Sequence, residues 1–323
     1  MSDLVPRKDI QPNGMQLSRE YFITTARPLL ERDFPELYPR LAAGLAGNGS
    51  ECFGYDDEIS RDHDWGVDFY IWTPEEDKDK LPALRKWKDA LIAKNPPEHA
   101  RTRTEYGARI GAMTSAEFYT GLIGTPGAPQ TLNEWIRAPE ENFAMTVNGE
   151  IFIDGPGEFT KTRRALLDYY PEDIRLKKIS AKCMALAQTG QYNHERTARR
   201  GDSVTLRTVL SRFNDAAIAM AFLLNKTYRP YYKWAWTALR ELPAPGAETA
   251  ALLLKIAETG GLDDKSQSKR QSSIEELCAL FIKEMKNQGL TNSDDTFMAP
   301  HGEQVRSNIK TDFLRNLPPQ YEI

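Results

Sequence analysis

GNGSECFGYDDEISRDHDWGVDFYIW, residues 47–72, sets six carboxylates (Glu51, Asp56, Asp57, Glu58, Asp62 and Asp64) in front of a run that reads as a strand. Trp65, Val67, Phe69 and Ile71 alternate with Gly66, Asp68 and Tyr70, and this period of two predicts a β-strand beginning a little before Trp65. Asp62 and Asp64 then leave the same face, about 7 Å apart at Cα, with His63 pointing the other way. Two carboxylates so placed suit one or two hard divalent cations, which prefer oxygen ligands and can bridge the phosphate oxygens of a nucleotide. Upstream lies Gly49-Ser50. A glycine lets the backbone approach a phosphate closely, and the serine hydroxyl and nearby N–H groups can donate to it.

Outward from this stretch the chain separates into a mixed half and a helical half. QLSREYFITTARPLLERDFPELYPRLAAGLAG, residues 16–47, reads as two helices split near Pro35 and ending close to Gly44 or Gly47. KDKLPALRKWKDALIAK, residues 78–94, reads as an amphipathic helix before an Asn-Pro-Pro break. FAMTV and EIFID flank Asn148-Gly149, a strong hairpin signal. From about residue 160 the 3.6-residue period takes over. Pro171 opens a helix carrying Leu176, Ile179, Cys183 and Leu186, with Gly190 as its expected end. Leu206, Leu210, Phe213, Ala217, Met220 and Leu224 form a bundle seam. Ser273 with Glu276 reads as a capping box for a last helix through Leu277, Phe281 and Met285, closed by Gly289 and preceded by a polar loop, LDDKSQSKRQS. The expected class is α+β, with a small mixed sheet and flanking helices over residues 1–157 and a helical bundle over 158–323.

Bulk properties narrow the partners. The 323 residues carry a formal charge of −4 with a pI near 5.8, which gives no broad attraction to nucleic acid or anionic membrane. The longest apolar run, Ala216 to Leu224, is far short of the roughly 20 residues a membrane span needs. Cys52, Cys183 and Cys278 are scattered without CxxC spacing, and the N-terminus lacks the apolar core of a signal peptide. A cytoplasmic location is expected.

Taken together, Gly-Ser, then about a dozen residues, then Asp-x-Asp entering an apolar run resembles the signature of the DNA polymerase beta-like nucleotidyltransferase superfamily, which includes the aminoglycoside and lincosamide nucleotidyltransferases. GSECFGYDDEISRDHDWG, GEIFIDGPGEFTKTRRALLDYYPEDIRLKKI and NKTYRPYYKWAWTALRELP further resemble a widespread bacterial family of unknown function placed in that superfamily. The resemblance implies a small mixed sheet with helices on one side, commonly followed by a helical bundle, with the substrate cleft between the two. It also implies transfer of a nucleoside monophosphate from a nucleoside triphosphate, ATP first among them, to an acceptor hydroxyl. Gly49 and Ser50 would hold the triphosphate, and Asp62 and Asp64 would bind Mg²⁺. A third carboxylate from a later strand is usual, and Asp154, ending EIFID, is the candidate. Asp154 also suits a turn, since Gly-Pro-Gly follows. Asp68 shares parity with Asp62 and Asp64 but lies about 13 Å beyond Asp64 along an extended strand. His63 departs from the apolar residue usual between the two aspartates, which puts the start of the strand in question.

Several residues carry two readings. Asp56, Asp57 and Glu58 read as a solvated turn. Arg61 could pair with them or contact a phosphate. Lys226 and Lys233, beside the aromatics of TYRPYYKW, are further phosphate candidates, while those aromatics suit bundle packing more than base stacking. Arg163, Arg164, Lys177, Lys178 and Lys182 read mostly as solvated face, with one or two reaching the triphosphate. His63 and His99 lack zinc-site spacing, and His194 and His301 read as surface residues. The acceptor is expected to be a small molecule or a protein side chain, with nucleic acid disfavoured. The competing reading is a regulatory partner that kept the fold and nucleotide affinity without turnover.

Overall fold

The computed structural model describes residues 13–62, 64–101 and 111–323. The chain divides into two compact units, Met1–Asp168 and Tyr169–Ile323, so the helix that follows Gly157 belongs to the first.

The first unit is built on strands β1 (Ala42–Leu45), β2 (Tyr70–Thr73), β3 (Ala112–Thr114) and β4 (Glu150–Asp154), in the spatial order β3-β2-β1-β4. β1 runs antiparallel to both β2 and β4, and β2 runs parallel to β3, so the sheet is mixed. β1 occupies the sequence expected to end a helix. Its residues are small and apolar and buried throughout, a composition that cannot distinguish a helix from a central strand. Gly44 decides the matter: a methyl there would lie 2.3 Å from the Glu150 carbonyl oxygen, so β1 and β4 approach more closely than any side chain permits.

β2 starts at Tyr70, five residues later than Trp65, with only an isolated bridge between Val67 and Ala100 before it. Gly66, Asp68 and Tyr70 are as buried as their apolar neighbours. The alternation therefore does not separate a wet face from a dry one, because helices cover both faces. On one face, α1 (Gly14–Tyr21), a π-helical turn (Phe22–Ala26), α2 (Arg27–Asp33) and α4 (Leu81–Lys94) supply Phe22, Leu30, Leu84 and Leu91 against Ala43, Phe69 and Ile71. On the other, Tyr70 and Trp72 meet Phe118 of α5 (Ser115–Ile123) and Phe159 of α8 (Glu158–Leu167), with Trp72 and Phe159 stacked at 4.0 Å. Between β1 and β2 lies the single turn α3 (Ser50–Phe53).

The hairpin expected around Asn148-Gly149 is absent, because Phe143–Val147 lies within α7 (Glu140–Val147), which follows α6 (Leu132–Arg137). Pro139 opens α7, with Glu140 and Glu141 in its first turn. Asn148-Gly149 instead turns a helix into a strand. The Asn148 side chain accepts from the Gly47 N–H and donates to the Gly47 carbonyl, each at 2.8 Å, and so acts as an extra strand residue. Gly149 has φ +70 and packs so tightly on β1 that a methyl would sit 2.1 Å from the Leu45 oxygen.

The second unit is helical. α9 (Glu172–Leu186) does not stop at Gly190 but continues through a π-helical stretch (Ala187–Asn193) into α10 (His194–Arg199). Gly190 serves helix crossing instead, since a methyl there would lie 2.5 Å from the Phe213 ring and 2.8 Å from Ile274. α11 (Ser203–Leu224) buries Leu206, Phe213, Ala217, Met220 and Leu224 of the expected seam, with Leu210 half-buried. It is followed by α12 (Tyr232–Glu241) and α13 (Gly246–Glu258). α14 (Asp264–Asn287) begins well before Ser273, because Asp263 caps it by accepting from the Ser266 N–H, so most of LDDKSQSKRQS is helix. α15 (Met298–Ser307) and α16 (Asp312–Asn316) complete the unit.

His194 and His301 are buried, not surface, residues. Lys177 is likewise interior: it donates to the carbonyls of Pro318, Pro319 and Tyr321, and burial pulls its pKa down to about 8. No helix among the described residues is long and apolar enough to cross a membrane.

Candidate functional site

β1 leaves the sheet at Leu45 and bends through Gly47 (φ +100) and Gly49 (φ +139) into Ser50. Such φ values exclude most side chains. At Gly49 space excludes them as well, since a methyl would lie 2.7 Å from Oε2 of Glu51. Glu51, 1% exposed, thus tucks its carboxylate beneath the bend, where Nη1 of Arg101 donates to it at 2.5 Å. Burial pushes the Glu51 carboxyl up in pKa, and Arg101 opposes that shift.

The acidic loop is more structured than a solvated turn. Oδ2 of Asp56 accepts the Gly14 N–H at 2.7 Å and the Trp65 indole N–H at 2.9 Å. Asp57 and Ser60 close a small turn by exchanging hydrogen bonds, while Glu58 stays exposed. Asp62 ends a 3₁₀ turn (Ile59–Asp62) and is exposed; Asp64 is half-buried with φ +50; His63 lies outside the described residues. The two aspartates therefore stand on a tight loop and not on one face of a strand, because left-handed backbone at Asp64 breaks the two-residue period. The Arg61 guanidinium lies 4.5 Å from the centre of the Trp65 ring.

Sheet topology brings the two motifs to one end. β1 and β2 are antiparallel with Gly44 opposite Tyr70, so the exit of β1 toward Gly49-Ser50 lies beside the entry of β2 from Asp62–Asp64. Gly14 confirms the meeting: a methyl on it would be 3.0 Å from Cβ of Glu51 and 3.0 Å from Nε1 of Trp65. The neighbour of Ser50 and the neighbour of Asp64 therefore pack against the same residue.

Asp154 is placed elsewhere. It pairs with Ala42, whereas Leu45 pairs with Glu150, so Asp154 stands about 10 Å along β1 from the end that leads to the bend. Its oxygens accept the Gly157 N–H at 3.0 Å and the Thr160 N–H at 2.7 Å, which makes it a cap for α8. Asp68 is no ligand candidate either, being 2% exposed and bound to Nζ of Lys88 at 2.5 Å. Arg163, read as solvated, instead donates to the carbonyls of Asn148 and Gly149.

Lys226 and Lys233 belong to the second unit. Lys226 has φ +49 and lies 3.9 Å from Glu172; Lys233 sits 5.0 Å from the Trp234 ring centre. Of the nearby aromatics, Tyr228 packs against Tyr169 and Tyr170, while Tyr231 and Tyr232 are exposed.

Among the described residues no three His, Cys, Asp or Glu side chains gather as a metal-binding group. Mg²⁺ needs fewer protein ligands than such a group, being commonly held by one or two carboxylates together with substrate phosphates. Sequence reasoning missed the Glu51–Arg101 and Asp68–Lys88 pairs. Glu51 follows Gly-Ser directly, but nothing in ARTRTE, residues 100–105, distinguishes Arg101 from its charged neighbours.

The profile of a domain family described as a domain of unknown function (DUF4037) matches residues 135–235. That segment runs from α6 to α12 and does not include Gly49, Ser50, Asp62 or Asp64. No curated protein and no solved structure matches the chain. The small mixed sheet flanked by helices and followed by a helical bundle resembles a nucleotidyltransferase-type architecture.

Proposed function

We propose that the protein is a Mg²⁺-dependent nucleotidyltransferase that transfers a nucleoside monophosphate from a nucleoside triphosphate, ATP first among them, to a hydroxyl of a small molecule or a protein. The observation that carries the reading is the convergence of Gly49-Ser50 and Asp62–Asp64 at one end of the sheet, joined through Gly14. A backbone without side chain, a hydroxyl and two carboxylates thus lie on loops at the same end of the sheet, the elements a metal-bound polyphosphate requires.

In this reading the Gly49 backbone lets the triphosphate lie against the chain, and the Ser50 hydroxyl donates to its oxygens. Asp62 and Asp64 would hold the cation, which when bound would offset phosphate charge and stabilise the departing pyrophosphate. The loop supplies carboxylates accessible to solvent, as Asp62 is exposed and Asp64 half-exposed. The acceptor oxygen bonds to the α-phosphorus as the bond to the leaving pyrophosphate breaks, and the acceptor proton passes to solvent water. Asp154 caps α8, so two carboxylates of the chain would hold the cation.

The test is incubation with ATP, Mg²⁺ and a metabolite or protein pool, followed by mass spectrometry for a product heavier by one AMP and by a pyrophosphate assay. Asp62→Ala and Asp64→Ala should each abolish both signals while leaving the melting temperature nearly unchanged. A fully active Asp62→Ala, Asp64→Ala double variant would sink the proposal.

A further inference from the structure

Gly49 approaches Glu51 so closely that a methyl on it would lie 2.7, 2.8 and 2.9 Å from the three carboxyl atoms of Glu51. An acid is therefore packed directly under the residue against which, in the reading above, a triphosphate lies. Left bare, that charge would oppose any anion at the bend, since like charges a few ångströms apart in a poorly solvated site repel strongly. Asp56 is a second acid acting on Glu51. The cation facing them is Arg101, whose side chain is 8% exposed and whose Nη1 lies 2.5 Å from Glu51 Oε1.

Arg101 is also held from behind. Val67 N–H donates to the His99 carbonyl at 2.7 Å, Val67 bridges Ala100, and the His99 ring meets Trp65 edge-on. Gly66 allows this crossing, because a methyl there would lie 2.8 Å from Cα of Arg101. The chain around Asp64 and the chain under Ser50 are thus both fastened to the same short segment, 99–101.

We propose that Arg101 is a positioning residue for nucleotide binding: by neutralising Glu51 beneath Gly49, it renders the Gly49-Ser50 bend receptive to the triphosphate of a nucleoside triphosphate. The inference rests on the nucleotidyltransferase reading and adds a charge requirement that the reading does not contain. The guanidinium acts through Glu51 and does not itself touch the phosphates. Its effect consequently scales with the charge on the ligand.

Calorimetric binding of MgATP and of uncharged adenosine to the full chain and to four variants tests it. Arg101→Met should weaken MgATP about tenfold, equivalent to about 1.4 kcal/mol, and weaken adenosine much less. Arg101→Lys and the Glu51→Gln, Arg101→Met double variant should bind MgATP within about threefold of wild type, because charge balance under the bend is restored. Glu51→Gln alone should bind MgATP more tightly than wild type. That arm decides the matter even where Arg101→Met does not fold. Glu51→Gln binding more weakly than wild type, Arg101→Met binding equally well, or a double variant as weak as Arg101→Met overturns the proposal. A wild-type chain that binds no MgATP overturns the nucleotidyltransferase reading as well, so the two failures are distinct.

Discussion

Replacing Asp68 by Asn tests whether the third acid of the Asp62, Asp64, Asp68 series holds the fold or the chemistry. Asp68 and Lys88 are each 2% exposed, and Nζ of Lys88 donates to Asp68 Oδ1 at 2.5 Å and to the Phe69 carbonyl at 2.6 Å. Oδ1 of Asp68 also accepts the Phe69 N–H, so the pair ties α4 to the entry of β2. Removing one partner of a buried pair strands the other charge and costs about 3–5 kcal/mol. For a folding unit of this size each kcal/mol moves the midpoint by about 2–4 °C, so the expected loss is about 10 °C. Trp65, Trp72, Trp87 and Trp135 lie in the first unit and make tryptophan fluorescence during heating or urea unfolding a fitting assay. The Asp68→Asn, Lys88→Met double variant should recover much of the loss, since an uncharged pair leaves no stranded ion. Retained Mg²⁺-dependent nucleotide binding in the folded Asp68→Asn protein is also expected. A midpoint within about 1 °C of wild type would refute the energetic reasoning.

Three further outcomes are expected. Gly190→Ala should destabilise the helical unit by about 1–3 kcal/mol, measured by urea unfolding, because the added methyl meets the Phe213 ring at 2.5 Å; no change would mean the crossing relaxes freely. Asp154→Ala should cost about 1 kcal/mol through loss of the α8 cap and leave nucleotidyl transfer intact, whereas loss of transfer equal to that of Asp62→Ala would restore Asp154 as a ligand. His194 should make stability fall in mild acid. Burial lowers its pKa from the ordinary 6.5, and Gln271 occupies Nδ1 while the buried Nε2 has no hydrogen-bond partner among the described residues. The unfolded chain then takes up the proton first, so stability present above 6.5 declines as the pH drops through and below that value. His194→Asn should flatten this part of the stability curve; an unchanged curve would acquit the histidine.

The sequence made the division into a mixed part and a helical part readable, since the α11 seam and the Leu81–Lys94 helix follow their periods closely. Errors fell where one local pattern served two structures. RLAAGLAG suits a helix as well as a central strand, and only the close approach of β4 at Gly44 selects the strand. Asn148-Gly149 has the torsional freedom of a hairpin turn, but the same freedom lets a side-chain amide pair with Gly47. Ser273 and Glu276 have capping-box spacing inside a helix that Asp263 had already started. The candidate site was legible as Gly-Ser followed by Asp-x-Asp, but not in its geometry. Alternation cannot reveal that both faces of β2 are covered, nor that Asp64 takes left-handed backbone. Long-range pairs such as Glu51–Arg101 leave no local trace at all.

The amide pairing of Asn148 with Gly47 also bears on how the protein ages. Asn-Gly is the dipeptide most prone to spontaneous deamidation, in which the following backbone nitrogen attacks the side-chain amide. Here that nitrogen is tied to the Cys52 carbonyl at 2.8 Å and the amide is held on both atoms, so the attack geometry is denied while the fold persists. Peptide mapping after prolonged storage should find Asn148 intact in native protein and converted in unfolded chain. Where conversion does occur, the new carboxylate would face the Gly47 oxygen two residues from Gly49, so chemical wear at one amide would be felt first at the bend that leads into Ser50.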